Sequence, residues 1–148
     1  MITTSTTTRN ENWMAVLGIK REKVPVLIVG NNPIEMTSIF NTLVNLRSRS
    51  YVIDVCFDIK DCFNRISESR PEVILVDDNL GPEDIRKMMR VLRQNAKTRN
   101  IKVIVLKSSN WSNKVIDNVD DYLLKDSIDA DMLDNIIDKN IHPLVQQA

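Results

Sequence analysis

Residues 73–82 read VILVDDNLGP, and this stretch decides how the rest of the chain is interpreted. Four branched apolar residues run without alternation into two adjacent aspartates, Asp77 and Asp78. An unbroken apolar run of this kind is typical of a strand covered on both faces of a parallel sheet. Such a strand delivers Asp77 to the edge of the sheet, where it either performs chemistry or merely begins a polar loop. Asp78 is expected to be the first loop residue and to be solvated.

Strand and helix patterns alternate on both sides of this stretch. Apolar strand patterns occupy residues 24–29, 51–57, 72–77, 101–107 and 120–125. Helical patterns begin at Pro33, near residue 59, at Pro82 and near Asp129. Proline is well suited to the first turn of a helix. Strands that alternate with helices predict an α/β fold with a doubly wound parallel sheet. Right-handed crossovers then favour a single flavodoxin-like (βα)5 domain with strand order 2-1-3-4-5.

The composition is that of one soluble globular domain. The chain has 148 residues, of which 43% are apolar and 27% charged. Twenty basic residues balance twenty acidic ones, so no nucleic-acid or membrane partner is predicted. We expect residues 1–22 to form an N-terminal extension, a polar lead followed by a short amphipathic turn. Residues 23–140 would form the domain and residues 141–148 a tail.

The cysteines indicate a reducing compartment. Cys56 and Cys62 are the only two, and both lie in apolar surroundings. Two free, buried thiols suit the cytoplasm. Together with His142, the only histidine, they match no zinc-site spacing.

The carboxyl ends of the first and third strands mark the place where a doubly wound sheet binds ligands. Gly30, Asn31 and Asp77 stand there. A nucleotide site would need a glycine-rich turn, whereas GNNP has one glycine and a proline that lacks an amide. No Ser/His/Asp or Cys/His combination occurs at the strand ends, so nucleophilic hydrolysis is not predicted, and the first expectation is a protein that is not an enzyme. A small flavodoxin-like enzyme or ligand binder remains a third alternative.

With these landmarks in order, the chain resembles the receiver domain of response regulators. Gly30 and Asn31 follow VLIV where the family has an acidic pair, and Asp77 stands at the phosphoacceptor position. Asn79 stands where a backbone carbonyl completes the family's magnesium site, and Lys125 at the invariant lysine. The resemblance implies a domain of two-component signalling whose metal site is formed by Asn31, Asp77 and Asn79.

The departures from the family concern its switch. Lys107 stands where the family has Thr or Ser, and Tyr122 stands at the switch aromatic. Asp126 replaces the usual proline after the invariant lysine. The segment between Lys107 and Lys125 is shorter than usual, so the fourth helix is expected to be short or irregular.

The charges at the site predict a weak magnesium site. In the family, three carboxylates and one lysine leave a local charge of about −2, which Mg²⁺ neutralises. Here Asp77 would face Lys107 and Lys125, a balance of about +1, and like charges ~4 Å apart repel by about 4 kcal/mol at an effective dielectric near 20. The Lys107 ammonium either pairs with Asp77 in the metal's place or points outward.

The first functional interpretation is a stand-alone pseudo-receiver that acts through protein–protein interaction in a two-component or phosphorelay system. The alternative is a working response regulator that a histidine kinase phosphorylates on Asp77. The partner would be that kinase or a downstream signalling protein. Self-association is a further alternative, because the third helix carries a basic stripe and the C-terminal region is rich in aspartate, so the two surfaces have opposite charge. Such a stripe is also typical of a solvated helix face. The stripe consists of Arg86, Arg90, Arg93 and Lys97.

Overall fold

The structure, a computed structural model, describes residues 22–46, 48–108, 116 and 118–143. The strands are β1 Lys23–Val29, β2 Ser50–Cys56, β3 Val73–Asp77, β4 Lys102–Lys107 and β5 Asp121–Leu124. The helices are α1 Pro33–Val44, α2 Ile59–Ser69, α3 Pro82–Gln94 and α4 Ala130–Ile141, with short 3-10 turns at Asp78–Leu80 and Lys125–Ser127. The predicted alternation is confirmed, and each predicted strand end lies within one residue of the observed one.

The five strands form one parallel sheet in the order β2-β1-β3-β4-β5, as predicted. Strand β3 lies at the centre and is buried at every position, which explains its unbroken apolar run. Val29 of β1 pairs with Val76 of β3. The residues that follow, Gly30 and Asp77, therefore meet at the carboxyl edge of the sheet, where the winding reverses.

The core consists of one apolar layer on each face of the sheet. Side chains of α2 and α3, among them Cys62, Ile66, Ile85 and Met88, pack on one face. Side chains of α1 and α4, among them Met36, Leu43, Leu133 and Ile137, pack on the other. Each fully buried aliphatic side chain contributes roughly 1.5–3 kcal/mol to folding. Because apolar side chains cover both faces of the sheet, the polar groups converge at its carboxyl edge.

Local sequence fixes the start of α1 at this edge. The side chain of Asn32 accepts hydrogen bonds from the backbone amides of Ile34, at 3.0 Å, and Glu35, at 3.3 Å. Pro33 occupies the first turn, where its missing amide costs nothing. The first turn of α1 therefore holds Glu35 beside the ends of β1 and β3.

A partly buried arginine ties the start of β2 to α4. Arg49 lies 2.7 Å from both Asp134 and Asp138, and Tyr51 donates to Asp134 at 2.5 Å. Burial raises the pKa of the Tyr51 hydroxyl above its ordinary value, so this group remains a donor. The cluster fastens the two elements on the α1–α4 face.

The basic stripe of α3 is not uniform. Arg93 pairs with Asp120 at 2.8 Å and donates to the carbonyls of Arg99, Ile101 and Asn118. Arg93 is therefore a structural clamp between α3 and the starts of β4 and β5. Arg86 and Arg90 are exposed on α3. Lys97 is exposed too, but it lies in the turn after α3, which ends at Gln94, so its predicted place on this helix was wrong.

Three expectations fall outside the described residues. They concern the N-terminal extension (residues 1–21), the helix between β4 and β5 (109–115 and 117) and the end of the tail (144–148). Of the helices that the structure describes, none combines the length and apolarity needed to cross a membrane.

Candidate functional site: an acidic centre around Lys125

Asp77 and Lys125 meet at the carboxyl edge of the sheet. Asp77 ends β3 and is 1% exposed, and Lys125 follows directly after β5. The Lys125 ammonium donates to Asp77 Oδ1 at 2.8 Å, and the backbone amide of Asn79 donates to the same oxygen at 3.0 Å. The structure thus brings together three of the residues that the sequence placed in the site.

Asp78 is part of the centre, and the prediction that it is solvated was wrong. Its side chain is buried, and Oδ2 accepts hydrogen bonds from the amide of Ser108, at 2.6 Å, and from its hydroxyl, at 2.9 Å. Asp78 Oδ1 lies 3.0 Å from the ammonium of Lys125. The 3-10 turn that begins at Asp78 folds this side chain back toward the end of β4, which a strand-then-loop pattern does not reveal.

Glu35 is a third carboxylate, which the sequence interpretation missed. Its Oε2 lies 3.3 Å from the Lys125 ammonium and accepts from Asn79 Nδ2 at 3.4 Å. A signal was present: Asn32 and Glu35 have the spacing of a helix-capping pair, and this helix begins at the carboxyl edge. That spacing predicts a carboxylate in the first turn, close to Asp77.

Lys107 lies elsewhere, so the hypothesis that it pairs with Asp77 was wrong. Its ammonium is 5.7 Å from the centre of the Tyr122 ring, and among the described residues no ion pair joins it to Asp77. The Tyr122 hydroxyl accepts from the amide of Ile116 at 3.0 Å and lies 3.3 Å from its carbonyl. The two predicted site residues therefore contact each other and not the acidic centre.

These positions reverse the expected charge balance. Glu35, Asp77 and Asp78 all contact the one ammonium of Lys125, which leaves two unbalanced negative charges. The expected balance of about +1 counted Lys107 and omitted two carboxylates. A unit charge ~4 Å away interacts by about 4 kcal/mol at an effective dielectric near 20, so the centre attracts cations.

The pKa shifts follow from burial and from this crowding. Burial is the largest of the effects that together raise the pKa of Asp77 to about 6, and the hydrogen bonds from Lys125 and the Asn79 amide oppose it. The neighbouring Asp77 carboxyl and the Lys125 ammonium lower the pKa of Glu35, against the opposing effect of burial. Burial alone would lower the pKa of Lys125, but its bonds to Asp77 and Asp78 outweigh this effect and raise it. Lys125 therefore stays charged.

For Asp78, burial opposes ionisation, but hydrogen bonds from Ser108 and Lys125 outweigh it and lower the pKa. Asp78 is therefore a permanent anion at neutral pH. Asp77, in contrast, has a pKa raised to about 6, so its charge changes with pH just below neutrality.

The donor set fits a hydrated Mg²⁺ ion. Asp77 Oδ2 is buried and has no hydrogen-bond partner among the described residues. The Asn79 carbonyl accepts only a long bond, 3.3 Å, from the amide group of Asn31. The described residues contain no group of three or more His, Cys, Asp or Glu side chains placed to hold a metal. Mg²⁺, however, is commonly held by one or two carboxylates and several waters, so Asp77 and the Asn79 carbonyl are sufficient donors.

No protein-family model and no curated protein sequence matches the chain. Solved structures do match. The receiver domain of the sensor histidine kinase PA1611 from Pseudomonas aeruginosa, with magnesium in its active-site cleft, shares 23% identity over 80% of this chain and 98% of its own, with a TM-score of 0.69. The chain has the fold of a response-regulator receiver domain.

Two further receiver structures support this assignment of the fold. The chemotaxis response regulator CheY4 of Vibrio cholerae has 15% identity over 80% of this chain and 98% of its own, with a TM-score of 0.65. The Mn²⁺-bound response regulator Rcp1 has 20% identity over 82% of this chain and 97% of its own, with a TM-score of 0.64. At these identities the receiver likeness concerns the fold, and the chemistry has to be argued from the side chains of this chain.

Proposed function

We propose that this receiver-fold protein acts in two-component signalling and accepts a phosphoryl group on Asp77 from a histidine kinase. The observation that carries the proposal is the state of the Asp77 carboxylate. Lys125 and the Asn79 amide hold Oδ1 at 2.8 and 3.0 Å, while Oδ2 has no partner among the described residues. One oxygen is thus fixed and the other is available as a nucleophile.

The reaction would be a phosphoryl transfer between two side chains. Asp77 Oδ2 attacks the phosphorus of a phosphohistidine on the partner, the P–N bond breaks and its electron pair returns to the imidazole. An acyl phosphate forms on Asp77. Lys125, already 2.8 Å from Oδ1, pairs with the charge that arrives. A divalent cation, when bound by Asp77 and the Asn79 carbonyl, would neutralise phosphoryl charge. The chain is then a cytoplasmic phosphoacceptor and binding module, not an enzyme.

The charge balance supports this function over the one that the sequence favoured. The argument for a weak cation site depended on Lys107 in the centre, and its ammonium lies over Tyr122 instead. The centre carries excess negative charge, as a cation-assisted phosphoacceptor requires.

A pseudo-receiver that acts by protein–protein interaction alone is the second candidate. The side-chain amide of Asn31 donates a hydrogen bond to the Asn79 carbonyl oxygen. The resemblance assigns that oxygen to the metal ion as a ligand, so the bond competes with metal binding. Lys107 also removes the hydroxyl at the family's Thr/Ser position. In this function the partner would recognise one fixed conformation, whether or not Asp77 is modified.

One experiment separates the two candidates. The full chain is incubated with acetyl phosphate and Mg²⁺, and its intact mass is measured beside Asp77→Asn and the matched surface variant Asp84→Asn. A phosphoryl adduct on the wild type and on Asp84→Asn, but not on Asp77→Asn, supports the phosphoacceptor. No adduct on any of the three, under conditions that label an active receiver, contradicts it and leaves the pseudo-receiver.

A further inference from the structure

We propose that Glu35 is a relocated ligand for a divalent cation and takes over the role of the acidic pair that the end of β1 lacks. The inference rests on the proposed function in that it names the cation ligand of the same centre. It concerns cation binding, which can be measured without phosphorylation. Three independent features of the described residues carry it.

The first feature is a lack of space at the end of β1. A Cβ atom on Gly30 would lie 2.9 Å from Asp77 Cβ and 3.1 Å from Met36 Sδ. Contacts that short would force the Asp77 side chain or its strand to shift. The end of β1 therefore has no room for a carboxylate at position 30, and position 31 carries an uncharged amide.

The second feature is the position of Glu35. The N-cap of α1 fixes its backbone, and its Oε2 lies within 3.4 Å of Asn79 Nδ2 and 3.3 Å of Lys125. Its side chain is 39% exposed, whereas those of Asp77 and Asp78 are 1% and 3% exposed. Glu35 is therefore the carboxylate of the centre that a hydrated cation meets first, beside the residue whose carbonyl is the other donor.

The third feature is an unmet need for positive charge. Asp77 Oδ2 is buried without a hydrogen-bond partner among the described residues, and Asp77 and Glu35 both contact the same Lys125 ammonium. The single ammonium of Lys125 leaves two negative charges unbalanced. A hard divalent cation balances both charges, and oxygen ligands select Mg²⁺ or Mn²⁺.

A simpler role for Glu35 would be structural: it would only hold Lys125 and Asn79 in place. The two roles differ in what magnesium does. A structural Glu35 stabilises the protein equally with and without Mg²⁺. A ligand contributes to the stability gained on adding Mg²⁺, because a cation that binds only the folded state stabilises it by mass action.

The test compares Glu35→Gln with Glu83→Gln, a glutamate in the first turn of α3 outside the centre. Mg²⁺ affinity of the full chain is measured by calorimetry, Mn²⁺ affinity by electron paramagnetic resonance, and melting temperature in EDTA and in Mg²⁺. We expect Glu35→Gln to weaken both affinities at least about tenfold and to lose most of the magnesium-dependent rise in melting temperature. Glu83→Gln should match the wild type.

Affinities of Glu35→Gln within about twofold of wild type would overturn the inference, and so would a wild type that binds neither cation at millimolar concentration. Equal losses of melting temperature in EDTA and in Mg²⁺ would establish the structural role instead. Failure of the proposed function would look different. If the chain binds Mg²⁺ through Glu35 but is not phosphorylated on Asp77, the inference about Glu35 stands and the proposed phosphoacceptor function is wrong.

Discussion

The Lys107 ammonium lies over the ring of Tyr122, 5.7 Å from its centre, at the end of β4. The hydroxyl of the same tyrosine contacts the backbone of Ile116, so the ring is held in place. This cation–π contact occupies the position where the family carries a hydroxyl residue. The contact holds the Lys107 ammonium away from the acidic centre, next to a ring whose hydroxyl contacts Ile116 in the segment before β5.

Replacing Lys107 with Met should therefore cost little stability and leave Asp77 unaffected. Loss of the cation–π contact is expected to lower the free energy of unfolding by about 0.5–1 kcal/mol. The titration of Asp77, followed by carboxyl carbon NMR, should stay where it is in the wild type. Lys60→Met, an exposed control on α2, should change neither quantity. A clear shift of the Asp77 titration in Lys107→Met would mean that the two charges interact.

Replacing Asp77 with Asn should stabilise the protein, and more so as the pH rises. Burial raises the pKa of Asp77 from 3.8 to about 6, so between these values the folded state binds the proton more tightly than the unfolded state. Ionisation of Asp77 therefore costs stability progressively from pH 3.8 upward, and the full cost is present above pH 6. Asn avoids this cost because it carries no charge, so at pH 7 we expect a gain of about 1–3 kcal/mol.

Chemical denaturation of the wild type and Asp77→Asn from pH 4 to 8 provides the measurement. Asp84→Asn, on the exposed face of α3, is the control and should follow the wild type throughout. A stability difference between wild type and Asp77→Asn that is the same at pH 4 and pH 7 would show that Asp77 has an ordinary pKa.

The strands and the place of Asp77 were predictable because they depend on local pattern and connectivity. The unbroken run before Asp77 requires a central parallel strand, and right-handed crossovers then fix the strand order. The place of Lys125 in the site came from the resemblance, which puts it at the family's invariant lysine, and the structure places it directly after β5 at the same edge.

The neighbours of Asp77 were not predictable in this way. Asp78 follows a strand, and periodicity assigns such a residue to solvent. Its burial depends on the 3-10 turn and on Ser108, which is 30 residues away in the chain. Glu35 approaches Asn79 across 44 residues. One strand-end residue, Lys107, was assigned to the site through its match to the family's Thr/Ser position, and only its side-chain direction excludes it.

Removing the Asp78 carboxylate should lower the free energy of unfolding by more than the position of Asp78 directly after a strand would suggest. Asp78→Ala leaves the amide and hydroxyl of Ser108 without their shared acceptor and takes one anion from Lys125. Partly buried donors that lose a charged partner cost about 1–3 kcal/mol. Asp126→Ala, an exposed aspartate next to Lys125, should stay within about 0.5 kcal/mol of wild type. Equal free energies of unfolding for the two variants, measured by urea denaturation, would show that Asp78 is solvated after all.

The two positions of the missing acidic pair should respond differently when an aspartate is restored. Asn31→Asp replaces the amide that donates to the Asn79 carbonyl with a carboxylate, frees that carbonyl and adds a negative charge beside Asp77. We expect Mg²⁺ affinity to rise about tenfold and stability without metal to fall, because the added charge is unbalanced until the cation binds.

Gly30→Asp should not have this effect. Its Cβ would lie 2.9 Å from Asp77 Cβ, so the strand end must move before any carboxylate can reach a cation. We expect Gly30→Asp and Gly30→Ala to lose a similar stability, about 1–3 kcal/mol, because the shared Cβ causes the loss. Calorimetric Mg²⁺ titrations and melting curves of the three variants test both positions. If Gly30→Asp bound Mg²⁺ as tightly as Asn31→Asp, the end of β1 would have room for the acidic pair, and Glu35 would not be needed to replace it.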